Sequence, residues 1–231
     1  MTHISNWLFG FLAIFSLSFF GCQLQVVDAS SKTGAMVYTQ HPPVVGKGQQ
    51  WPVYIDHSFT AAQQQQIDVA ITNWNIVLNG YAQLVVVQRD FDMAQDDVLQ
   101  QIMQGHGYLI LPATPDNRLV SSVDPDHNVT GITPFIGGHW IHLVVSRLPL
   151  RDIVGVTMHE LGHALGASHT PGGLMNSFYD GTHPFTCVDD QAMQQIADVN
   201  HWDRSTLNYC YWDPHAAPVI VPVAPRAVHS H

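Results

Sequence analysis

The chain has 231 residues, of which 46% are hydrophobic and 11% charged, and a formal net charge of −10. That length suits one domain with short appendages and is enough to bury a full core. The acidic balance repels phosphate backbones and excludes nucleic acid as an expected partner.

Residues 7–20, WLFGFLAIFSLSFF, are almost wholly apolar. The run is short for a membrane span and matches the apolar core of an export signal. Gly21-Cys22 follows, as in a bacterial lipoprotein signal, where the cysteine is lipidated and becomes the mature N-terminus. Simple cleavage after Val27-Asp28-Ala29 is the alternative, giving a freely secreted chain. The expectation is a signal peptide over residues 1–21 and an exported protein: an outer-membrane or cell-surface lipoprotein anchored through Cys22, or a secreted or periplasmic one. Any membrane contact would run through that anchor alone. Of the three cysteines, Cys22 is then used, and Cys187 and Cys210 form a pair suited to a disulfide outside the cytoplasm.

Residues 22–48 read as a linker, rich in turn-forming and breaker residues. Residues 51–57 alternate and predict a first strand. Thr60 and Gln63 have the spacing of a capping box. Ile67, Ala70, Ile71, Trp74, Val77 and Leu78 follow at helical spacing, and Asn79-Gly80 closes the helix. Residues 84–87 and 108–111 predict short strands, with a helix expected between them over 92–104. Residues 112–135 read as a long surface loop. Asp124, Asp126, His127 and Asn128 within it offer oxygen and nitrogen ligands for a structural ion, but a solvated turn is the simpler reading. A calcium or second zinc ion is unsupported.

Residues 137–145 predict a strong strand. His139 and His142, three apart, would face opposite sides of it and make a poor shared metal site. A helix follows from about residue 153, and another over 188–199 with acidic residues in its first turn. Residues 213–231 read as a flexible tail rich in Pro, Ala and His. His215, His229 and His231 in that tail could scavenge metal, but such tails are usually only disordered. The domain proper is expected over 49–212, as a monomer.

The chemistry concentrates in HELGHALGASH, residues 159–169. His159 and His163 are four apart, so a helix places both on one face, within reach of one zinc ion. Glu160 stands beside them as a general base for a metal-activated water. Gly166 tolerates the left-handed turn that ends a helix, and that turn can return His169 as a third ligand. Three protein ligands leave the fourth position open, as catalysis requires.

This motif resembles the extended zinc motif of the metzincin metallopeptidases. Gly173-Leu174-Met175 is similar to that family's methionine turn, and Tyr179 lies at the offset where matrixins carry a tyrosine. Ser177 replaces the usual proline between them. The resemblance implies an α+β fold: a twisted mixed sheet with one antiparallel edge strand, an active-site helix and a small C-terminal subdomain. It implies that residues 140–145 form the edge strand that pairs with an extended peptide. It also implies that Met175 packs under the metal and that Tyr179 lines the substrate pocket. The expected activity is that of a zinc endopeptidase with one catalytic ion, acting on peptide or protein substrates. The alternative is a non-catalytic zinc-binding surface or adhesion protein on the same fold, against which the intact Glu160 argues.

Overall fold

A computed structural model describes residues 35–213 except 47, 92–106, 125, 127, 172 and 178–186. Cys22, the helix expected over 92–104, Tyr179, and the tail with His215, His229 and His231 lie outside the described residues.

The chain is α+β. A five-stranded sheet has the order β3-β2-β4-β6-β5, with β2 Gln49–Asp56, β3 Ala82–Phe91, β4 Tyr108–Pro112, β5 Gly131–Ile132 and β6 Trp140–Leu143. All its pairs are parallel except β5 with β6. The central strands read as apolar runs because parallel strands are buried on both faces. Val53, Ile55, Leu109, Ile110 and Ile141 are fully buried.

Helix α1, Ala61–Leu78, starts on the expected capping box. Thr60 Oγ1 accepts from the Gln63 N–H at 3.3 Å, and Gln63 Oε1 accepts from the Thr60 N–H at 2.8 Å. Its buried face is the six residues the spacing predicts, Ile67 through Leu78. At its end Asn79 adopts the left-handed conformation, φ 47°. Its side-chain amide compensates by donating to the carbonyls of Pro42 (3.1 Å) and Thr206 (2.7 Å).

Helix α3, Ile153–Leu165, carries the HExxH residues and packs on α1 and the sheet. Trp74 is wholly buried at the α1–α3 contact, and its indole N–H donates to the Met158 carbonyl at 3.0 Å. A buried indole needs such a partner, and this one fixes the active-site helix against the core. Helix α4, Asp190–Asn200, begins with Asp189, whose carboxylate accepts from the Ala192 N–H. Among the described residues no helix is long and apolar enough to cross a membrane.

Three sequence expectations change. The stretch 140–145 is not the edge strand: β6 is an inner strand, parallel to β4 on one side and antiparallel to β5 on the other. The antiparallel edge is the two-residue strand Gly131–Ile132, within the stretch read as loop. That stretch also contains a short helix, α2, Arg118–Val123, capped by Asn117. Finally, β1, Ala35–Tyr38, lies within the region read as a linker. It pairs antiparallel with β7, Cys210–Asp213, so the two ends of the domain close on each other.

Candidate metal and catalytic site

Helix α3 places His159 and His163 one turn apart, as the spacing demands. Gly166 then takes φ 115°, a conformation that L side chains rarely adopt, and ends the helix. The chain turns back and delivers His169. One ring nitrogen from each histidine lies within 4.8 Å of the other two. The Nε2 atoms of His163 and His169 are 3.2 Å apart. Two nitrogens on a tetrahedral zinc, each at about 2.0–2.1 Å, stand about 3.3–3.4 Å apart, so the spacing fits that ion.

The far side of two rings is held by backbone. His159 Nδ1 faces the Leu174 carbonyl at 2.7 Å, and His163 Nδ1 faces the Ala167 carbonyl at 2.8 Å. A nitrogen facing a carbonyl carries the ring proton, which leaves the Nε2 lone pair for a metal. Burial lowers the His159 pKa to about 4, with the neighbouring His163 adding to the effect. Burial also lowers His163 and His169. Neutral imidazole is the form that binds metal. Donor set, spacing and protonation therefore all suit zinc.

Glu160 is buried on the same helix. Burial pushes its carboxyl up to about 8, partly opposed by hydrogen bonds from Thr133. It packs on the edge strand: a Cβ on Gly131 would lie 2.7 Å from Glu160 Oε1 and 2.8 Å from its Cγ. Glycine at 131 is thus what lets the strand approach the carboxyl. Thr133 Oγ1 lies 2.9 Å from both Glu160 Oε2 and the Glu160 carbonyl.

Met175 is fully buried. It lies against Gly162, the helix residue between the two histidines' turns, and the absence of a Cβ there makes room for its sulfur. Its own carbonyl accepts from the Thr170 N–H at 2.9 Å, which ties the methionine turn to the loop carrying His169.

Several supporting residues were invisible in the sequence. Asp189 caps α4 and accepts from the Thr170 hydroxyl at 3.1 Å. Gln195 Oε1 accepts from the Ser168 N–H at 2.8 Å, and Asn200 donates to the Leu165 carbonyl at 2.9 Å. Helix α4 and its cap therefore hold the chain on both sides of Gly166. The periodicity of α4 marked it as a helix, but no local pattern marks these three partners.

The paired cysteines are joined: Cys187 and Cys210 form a disulfide across 23 positions. The Cys187 carbonyl accepts from the Leu174 N–H at 3.0 Å, so the crosslink abuts the turn that orients His159. Of the acidic loop, His127 lies outside the described residues, and the interactions described centre on Asp124. Asp124 is buried, accepts from the N–H groups of Asn128 (2.6 Å) and Val129 (3.0 Å), and pairs with Arg147 at 2.5 Å. His139 stacks on Tyr108 with Nδ1 at 2.8 Å from the Gly107 carbonyl, and His142 is buried in β6. Neither joins the three-histidine group.

No protein-family profile matches the chain, and no curated protein matches it. Among solved structures it is similar to the crystal structure of metalloproteinase-II from Bacteroides fragilis, at 14% identity and a TM-score of 0.45. The alignment covers 74% of this chain and 58% of that one, less than two thirds of the other protein's length.

Proposed function

We propose that the protein is a zinc-dependent endopeptidase. The observation that carries this reading is the convergence of three neutral imidazoles, two of them oriented by backbone carbonyls, beside a buried carboxyl on the same helix. A pure metal store has no use for that carboxyl. Zinc held by His159, His163 and His169 supplies a Lewis acid that makes water nucleophilic near neutral pH and polarises a carbonyl.

Glu160 takes the proton that water gives up and passes it to the leaving amine. The peptide lies extended along β5, whose partner strand occupies one side only. Pairing there would bring the backbone of the substrate to Glu160, because the carboxyl packs on Gly131. Matrixin-like membership, the roles of Met175 and Tyr179, and the alignment of peptide with β5 belong to the same reading. Export to an oxidising compartment, with or without a lipid on Cys22, agrees with the disulfide.

The test compares Glu160→Gln with the parent on a proteome-derived peptide library read by mass spectrometry. The parent should cleave when zinc is loaded, stop when it is chelated, and resume on zinc addition. Glu160→Gln should keep one zinc per chain and lose at least about 100-fold in rate. Comparable cleavage by the variant would reject the mechanism.

A further inference from the structure

Thr133 follows the edge strand directly, and its side chain reaches the active-site helix 27 positions away. Its hydroxyl stands 2.9 Å from the Glu160 backbone carbonyl and 2.9 Å from the Glu160 carboxylate. One group thus touches both ends of the same residue. A glutamate has three side-chain torsions, and a carboxyl free to rotate spends much of its time elsewhere. The Thr133 backbone N–H also bonds the carboxyl, so the hydroxyl and the amide of one residue together restrict where it can lie.

We propose that Thr133 is a positioning residue for the reaction, whose hydroxyl locks the Glu160 carboxyl in its working orientation. The proposal rests on the peptidase reading given above. Three features beyond the two distances support it. Gly131 removes the Cβ that would push the carboxyl out of this place. The Val156 side chain would also crowd a Cβ at 131, so carboxyl, valine and strand are packed together without slack. The next hydrogen-bonded turn, closed by the Gly138 N–H on the Phe135 carbonyl (2.9 Å), is pinned to α3 by the Gly137 N–H on the His163 carbonyl (2.8 Å). Residues 131–137 therefore pack on the catalytic helix at one end and are hydrogen-bonded to it at the other, which keeps Thr133 beside Glu160.

A hydroxyl is also the right group chemically. It can donate to a carboxylate, and it can accept from a carboxylic acid while its own proton turns to the Glu160 carbonyl. The anchor therefore holds before and after the carboxyl has taken the proton from water, with no movement of heavy atoms.

The experiment uses the full zinc-loaded chain with Thr133→Val, which keeps the shape and removes the hydroxyl, and Thr133→Ser, which keeps the hydroxyl. Thr133→Val should lower kcat about 10- to 100-fold, the cost of a misplaced catalytic group. KM and zinc content should stay within twofold, and Thr133→Ser should recover most of the rate. Crystal structures give a readout independent of turnover: the carboxyl should sit on the hydroxyl in the parent and in Thr133→Ser, and in Thr133→Val, where only the backbone N–H holds it, turn out of that orientation. Unchanged kcat in Thr133→Val, or a serine variant as slow as the valine one, overturns the proposal. If the parent cleaves no peptide, the peptidase reading fails instead, and the carboxyl's position in the three structures still decides whether Thr133 holds it.

Discussion

Gly162→Ala sets two effects of opposite sign against each other. Alanine is the better helix former by about 1 kcal/mol, and position 162 is inside α3. Its added Cβ would overlap the Met175 sulfur and stand 3.1 Å from the Met175 methyl and 3.4 Å from Trp74 Cζ2. Methionine is normally adaptable. Here the side chain is fully buried, and its backbone is fixed by the Thr170 N–H, so it cannot swing into open space. Overpacking of this kind costs about 1–3 kcal/mol. The net expectation is a loss of up to about 2 kcal/mol and weaker zinc binding, since the methionine turn also orients His159. The decisive measurement is a double-mutant cycle by urea denaturation. With Met175→Ala in place the obstruction is gone, and adding Gly162→Ala should now stabilise by about 1 kcal/mol. If Gly162→Ala has the same sign and size in both backgrounds, Met175 does not pack against that glycine and the reasoning fails.

Two further outcomes follow from the site. In the metal-free protein, His159 stays neutral in the fold down to about pH 4 but gains a proton near 6.5 when unfolded. The unfolded state then binds more protons between those values, so stability falls as pH drops from 6.5 to 4, by on the order of 3 kcal/mol for this residue. Glu160 acts oppositely, since its raised pKa makes the fold lose stability as pH rises from about 4.5 to about 8. Glu160→Gln should therefore steepen the acid loss in chelator, and an unaltered slope would contradict the Glu160 assignment. Replacing Cys187 and Cys210 by serine should lower stability by roughly 3 kcal/mol. It should also weaken zinc affinity through the Leu174 turn, a change readable by competition with a chromophoric chelator.

How much of this was legible in the sequence depends on the range over which each feature is specified. The capping box, the α1 stripe and the His159–His163 pair are set within a few residues, and local spacing reveals them. Gly166 and His169 are legible for the same reason, because a left-handed helix end is a local demand. The edge strand is not. Gly131–Ile132 has two residues, too few to show alternation, and it is a strand only because His142 and Leu143 lie opposite it. The resemblance to the metzincin motif, and no feature of the strand itself, is what assigns residues 140–145 to the edge. Yet His142 is buried in β6, where both neighbours are strands, and His139 lies before the strand begins.

The position of the edge matters chemically as well as topologically. The observed edge has glycine at 131, and that glycine is what allows a carboxyl from the neighbouring helix to lie against the strand. In the proposed reaction the strand that takes the peptide and the base that takes the proton have to be close, and glycine at 131 leaves room for that contact. The shortest strand of the sheet thus joins the fold to the proposed chemistry: its strand partners His142 and Leu143 lie 10 and 12 positions away and Glu160 lies 29 from Gly131, beyond any local pattern.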